Sequence, residues 1–81
     1  MDLNDTIELM SSSDYKDRFK AEYYQTKIRH DKLNKMIVKY EAGTLNFTPD
    51  CPIGLLKAQR NAMDNYLYAL EVRAETEKID L

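Results

Sequence analysis

Apolar and aromatic side chains return at helical intervals through the first half of the chain. Phe19, Tyr23, Thr26, His30, Leu33, Ile37 and Tyr40 step by 4, 3, 4, 3, 4 and 3, which lays them along one stripe of an α-helix facing a partner helix. The run from 14 to 42 holds no Gly or Pro. Ser13 or Asp14 can cap its start, because a short oxygen-bearing side chain accepts from otherwise unpaired backbone N–H groups. Asp14 and Asp17 suit the positive end of the helix dipole and Lys39 the negative end, and Gly43 supplies a left-handed stop. The pattern predicts a helix over about 14–42, roughly 43 Å long. After the loop GTLNFTPDC, Leu56, Met63 and Leu70 repeat every seven residues, with Gln59, Tyr66, Leu67 and Ala74 alongside. Pro52 suits the first turn of this second helix, expected over about 52–78 and roughly 40 Å long. Matched lengths across a short loop predict an antiparallel hairpin, with Tyr40 opposite Leu56, Leu33 opposite Met63 and Thr26 opposite Leu70.

Two regions lie outside that seam. Residues 1–13 form an acidic arm in which Asp5 and Glu8 have capping-box spacing and Leu3, Ile7 and Met10 share a face, so a short helix or an unstructured arm fits. Tyr24, Ile28 and Val38 on the first helix, and Leu55, Ala58, Ala62, Ala69 and Val72 on the second, form further apolar flanks. The chain has only 81 residues. A lone two-helix hairpin of this size buries little area against its chain entropy, so these flanks predict a homo-oligomer, an all-α bundle built from hairpins.

Composition narrows the chemistry. With 43% hydrophobic and 32% charged residues the chain is too apolar for a disordered tail and too charged for a membrane protein. The acidic start lacks the basic residues of a signal or transit peptide, which predicts a cytoplasmic protein. One Cys excludes an internal disulfide, and one His with one Cys excludes a structural zinc site within a protomer. A hydrolase triad would need His30 to serve every nucleophile, and no pattern orients it. The expectation is a protein that is not an enzyme and carries no metal or cofactor. His30 fits better as a polar layer that sets helix register. Cys51 fits a small loop residue.

Charge is unevenly placed. Residues 27–39 carry Lys27, Arg29, Lys32, Lys35 and Lys39 against Asp31 alone. Arg29, Lys32, Lys35 and Lys39 suit phosphates, while Tyr24, Tyr40 or Phe47 offer rings on which a base stacks. The loop adds Thr44 and Asn46 as polar groups and alternates them with Leu45 and Phe47. A pI near 5.3 disfavours general DNA or RNA binding and leaves a small anion as the ligand. A plain solvated lysine face, and a loop that only staples the hairpin, fit the same residues.

The stretch LLKAQRNAMDNYLYALEVRAE, with Leu56, Gln59, Ala62, Met63, Tyr66, Leu67, Leu70, Glu71 and Arg73, resembles a family of small helical-hairpin proteins from crAss-like phages and from phages and prophages of Firmicutes. DYKDRFKAEYYQTKIRHDKL and EAGTLNFTPDCP fit the same pattern, so the resemblance spans about residues 14–76. It implies a phage origin and a helix-loop-helix, and brings no catalytic residue. Small oligomeric phage proteins of this kind often counter host immunity, which is an analogy of size and context. Two functions follow as expectations: a sponge for a cyclic nucleotide immune signal, or an inhibitor or adaptor that docks an aromatic helix face on a host defence protein.

Overall fold

The computed structural model describes all 81 residues and is all-α, with no strand, as the periodicity predicts. A 3-10 turn, Leu3–Thr6, leads into the single turn α1, Ile7–Met10; α2 spans Tyr15–Ala42 and α3 spans Ile53–Glu77. The last two form an antiparallel hairpin about 43 Å long. Asp14 caps α2 by accepting from the Lys16 N–H at 3.0 Å. Gly43, at φ 75°, ends it: its N–H donates to the Tyr40 carbonyl, and that of Thr44 donates to the Lys39 carbonyl at 2.9 Å. Pro52 stands just outside α3 as its N-cap rather than in the first turn, and its carbonyl accepts from Leu55 and Leu56. No helix is long and apolar enough to cross a membrane.

The core sits at the end where the termini meet. Phe19, Tyr23, Leu67, Leu70, Ala74 and Ile79 form one buried cluster, with Tyr24 and Leu81 packed on its edge. Ile79 joins it because α3 stops at Glu77: Lys78 takes a left-handed conformation and the Ile79 N–H returns to the Ala74 carbonyl at 2.8 Å. That turn throws the last three residues back on α2, where the Tyr24 hydroxyl donates to the Leu81 carbonyl at 2.8 Å. The Arg73 guanidinium lies 4.9 Å over the Phe19 ring, and Tyr15 and Glu77 close the end above it.

Between the helices the seam is more polar than its periodicity predicts. Tyr23 donates to Glu71, His30 lies against Asp64, and Arg60 donates to Asn34. These three links stand two residues to one side of the expected register, and the Lys57–Glu41 pair nearer the loop stands two residues to the other. Tyr40, Gln59 and Tyr66, expected in the seam, are exposed. His30 is buried, as a register-setting layer requires. Its Nδ1 meets Asp31 at 2.9 Å, while Nε2 lies against Asp64 without forming a hydrogen bond. The bond from His30, ahead of the neighbouring Lys27, holds the Asp31 carboxyl below its ordinary range. Burial, then donation to Glu71, pushes the Tyr23 phenol up to about 12.

The arm is structured and packs on α2 alone. Its cap is formed by Asp2 and Asp5, each side chain accepting from the other's backbone N–H, and not by Asp5 and Glu8. Thr6 is its fully buried residue and accepts from Gln25 at 2.9 Å, whereas Ile7 and Met10, which share a face by spacing, are exposed. Arg18 donates to the Ser12 carbonyl at the other end of the contact. Ala21, buried between Arg18 and Gln25 on the same face, gives the arm room to approach.

Candidate functional site

Arg18, Gln25, Lys32 and Lys39 recur every seven residues, so all four lie on one face of α2, away from the face that Tyr23, His30 and Ile37 turn to α3. The arm covers the first two. Beyond it the face opens, and the loop after Gly43 folds over it. The result is a hollow of about 330 Å³ lined by Lys32, Lys35, Met36, Lys39, Thr44, Leu45, Asn46 and Phe47.

Local rules build each wall. Lys32, Lys35, Met36 and Lys39 occupy successive turns of one helix face. The Gly43 turn reverses the chain and ties Thr44 to Lys39 through the backbone bond and a weaker one from the Thr44 hydroxyl at 3.4 Å. Leu45 is half-buried and anchors the loop, which leaves the Phe47 ring 56% exposed at the rim. The ion pairs of the chain are Lys27–Asp31, His30–Asp31, His30–Asp64, Lys57–Glu41 and Arg73–Glu77, so Lys32, Lys35 and Lys39 have no carboxylate partner. Three unpaired ammonium groups near the α2 C-terminus create a positive hollow in a protein of net charge −2. No carboxylate or imidazole lines it; its groups can bind phosphate, stack on a ring and donate to oxygen.

Six of the candidate binding residues therefore meet: Lys32, Lys35, Lys39, Thr44, Asn46 and Phe47. Tyr40 lies across the loop, in a second hollow of about 310 Å³ with Gly43, Leu45, Phe47, Thr48 and Pro49, so Leu45 and Phe47 form the wall between the two. Arg29 is exposed one turn below Lys32 and outside the lining. Tyr24 is not brought here: it lies about 22 Å down the helix from Lys39, edge-on to Tyr23 at 5.3 Å and engaged with the C-terminal tail. Met36 escaped the sequence reading, although its position four residues after Lys32 and three before Lys39 marks it as the apolar floor. Cys51 is exposed and free, and no group of metal-ligating side chains occurs anywhere in the chain.

Of the flanks assigned to an oligomer, Val38, Leu55, Ala58, Ala62, Ala69 and Val72 are exposed, Ile28 is half-buried, and Tyr24 is half-buried under its own chain's tail.

No curated protein and no solved structure matches this chain. The family model described as Sequestin matches residues 13–76, which include the whole of α2, the loop and all but the last residue of α3, and the chain belongs to that family.

Proposed function

We propose that this protein is a non-enzymatic, phage-encoded counter-defence factor that sequesters a nucleotide immune signal in the host cytoplasm and works as a homo-oligomer. The observation that carries the reading is the hollow itself, where three unpaired lysines, an exposed phenylalanine and two short polar side chains converge. Lys32, Lys35 and Lys39 neutralise phosphates, Phe47 stacks on a base, and Thr44 and Asn46 meet the sugar or base edges. The family name is consistent with sequestration. A lining without a general base favours holding a ligand over turning it over.

The volume sharpens the ligand class. About 330 Å³ is at the small end of ligand sites and holds about one nucleotide. A cyclic dinucleotide or trinucleotide would need the neighbouring hollow beyond Phe47, or a second chain. Titration calorimetry with mononucleotides, cyclic mononucleotides and cyclic di- and trinucleotides tests this: one site per chain is expected for a single-nucleotide ligand. Absence of heat with every member of the series would reject the reading. A second reading, a protein-binding inhibitor, is favoured by the exposed Tyr66, Tyr68 and Val72 of α3; a stoichiometric complex with a purified defence protein would support it.

A further inference from the structure

In α3 the charges flank the buried stripe of Leu67, Leu70 and Ala74 and leave the far side bare. Lys57, Arg60, Asp64 and Glu71 reach Glu41, Asn34, His30 and Tyr23 of α2, Arg73 lies over Phe19 and pairs with Glu77, and Glu75 stands exposed at one edge. Its solvent face carries Gly54, Ala58, Asn61, Ala62, Asn65, Tyr68, Ala69, Val72 and Thr76, all exposed and none charged. Tyr68 is 62% exposed and the adjoining Leu55 60%. In a chain with 32% charged residues, a seven-turn outer face without one charge is a surface made to be covered.

We propose that this face pairs with the same face of a second copy, antiparallel, about a two-fold axis beside Asn65. Asn65 is the midpoint of Ile53–Glu77 and the centre of the outer face. The residues on either side of it differ in size. Gly54, Ala58 and Ala62 precede it; Tyr68, Val72 and Thr76 follow it. An antiparallel copy seats Val72 on Ala58 and Thr76 on Gly54, large on small at both ends of the contact, with Tyr68 beside Asn61 and Ala62 beside Ala69 nearer the axis, whereas a parallel copy sets small against small at Gly54 and Ala58 and leaves gaps. A Cβ at Gly54 would meet nothing within 4 Å in its own chain, so the protomer holds no packing reason for that glycine. The Asn65 amide, both donor and acceptor, pairs with its own symmetry mate.

Charge selects the same orientation. Lys57 and Glu75 are five turns apart on one edge of the face. Antiparallel pairing brings Lys57 of each copy beside Glu75 of the other, whereas parallel pairing moves the two copies of that edge to opposite sides of the contact and forms no such ion pair. The area agrees as well. A folded chain of this mass exposes about 5,000 Å², and this one exposes 5722 Å². The outer face of α3 offers on the order of 800 Å², one partner's share of a standard interface. The ligand hollow, on the side of α2 away from α3, stays open in such a dimer, one in each chain and at opposite ends.

This pairing rests on the homo-oligomer of the proposed function and assigns its face. The test needs no ligand, so a monomer would remove the oligomer while leaving ligand binding in the hollow of each chain to be decided by calorimetry. Light scattering on the full chain should give twice 9.5 kDa at tens of micromolar. Ala62→Arg should weaken dimerisation at least a hundredfold while circular dichroism keeps the helical signal, because Ala62 is exposed in the protomer. In a Cys51→Ser background, Asn65→Cys should cross-link to a dimer on mild oxidation. Ala58→Cys alone should not, since antiparallel pairing holds its two copies about 20 Å apart. A strictly monomeric wild-type protein would overturn the proposal and return the face to the inhibitor reading. A dimer indifferent to Ala62→Arg, or efficient cross-linking through Ala58→Cys, would overturn the assigned face or its orientation.

Discussion

Where the termini meet, six side chains from α2, α3 and the tail close on one another, and Leu70 at their centre is 1% exposed. Around the loop, at the other end of the same hairpin, Ile37 is buried but Tyr40, Phe47 and Leu55 stand largely open, and three lysines crowd one face without a carboxylate. The hairpin is continuous between them, so the difference lies in what each end adds to two helices. The first adds an arm and a tail. The second adds only a loop, whose Thr44 and Asn46 line the hollow instead of closing a core. A protein this small concentrates its apolar packing where nothing needs to enter, and leaves loosely packed the end where a ligand would be admitted.

The largest effect should come from emptying the packed end. Leu70→Ala removes a fully buried side chain and should destabilise by about 3 kcal/mol, a melting shift above 10 °C or outright unfolding for a domain of this length. Leu45→Ala, half-buried at the loop, should cost under 1 kcal/mol by the same melts. Equal losses at both ends would break the comparison.

Next comes a pH effect confined to the packed end. Burial and the bond to Glu71 both favour the neutral Tyr23 phenol, which is held up to about 12 in the fold against 10.0 in a free side chain. The stabilisation is therefore whole below pH 10 and is lost as pH rises from 10 to 12. Tyr23→Phe should cost about 1 kcal/mol at pH 7 through the lost hydrogen bond, yet lose less stability than the wild type between pH 9 and 11.5. Parallel pH curves for the two proteins would refute this account.

A smaller gain should follow from relaxing the turn that makes the packed end. Lys78, at φ 58°, holds a conformation that costs an L-residue about 1 kcal/mol, and Lys78→Gly should return roughly 0.5 kcal/mol after the entropy of glycine is counted. The same turn explains what was hard to read in the sequence. Gly43 announces the end of α2; no glycine announces the end of α3, so nothing in the sequence marks Ile79 and Leu81 as residues that return to the core. The seam hid for a related reason. Periodicity identifies a stripe but not its exact centre, and Asn34–Arg60 and His30–Asp64 shift the real stripe away from Tyr40, Gln59 and Tyr66. The candidate site was legible where spacing alone sufficed, in the helical face of Lys32, Lys35 and Lys39 and in the loop that a left-handed Gly43 must turn back over it. Tyr24 was not separable from it, because no local pattern says which ring a chain's tail will claim.

The smallest stability effect should fall at the open end, where the functional effect is concentrated. Lys35 is exposed, lines the hollow and has no ionic partner, so Lys35→Glu should change stability by less than about 0.5 kcal/mol. If the hollow holds phosphate, the same substitution exchanges an attraction for a repulsion at a contact distance, and affinity for a nucleotide ligand should fall at least tenfold. Lys16→Glu reverses an equally exposed charge at the packed end of α2 and should leave affinity within about twofold, since the two lysines stand nearly 30 Å apart along the helix. Salt separates a local contact from general attraction. If raising the ionic strength removes both wild-type binding and the difference between these variants, the lysines act as a diffuse field. If the Lys35→Glu defect survives in salt while Lys16→Glu stays silent, the loss belongs to one place, the face of α2 that the arm leaves uncovered and the Gly43 turn closes.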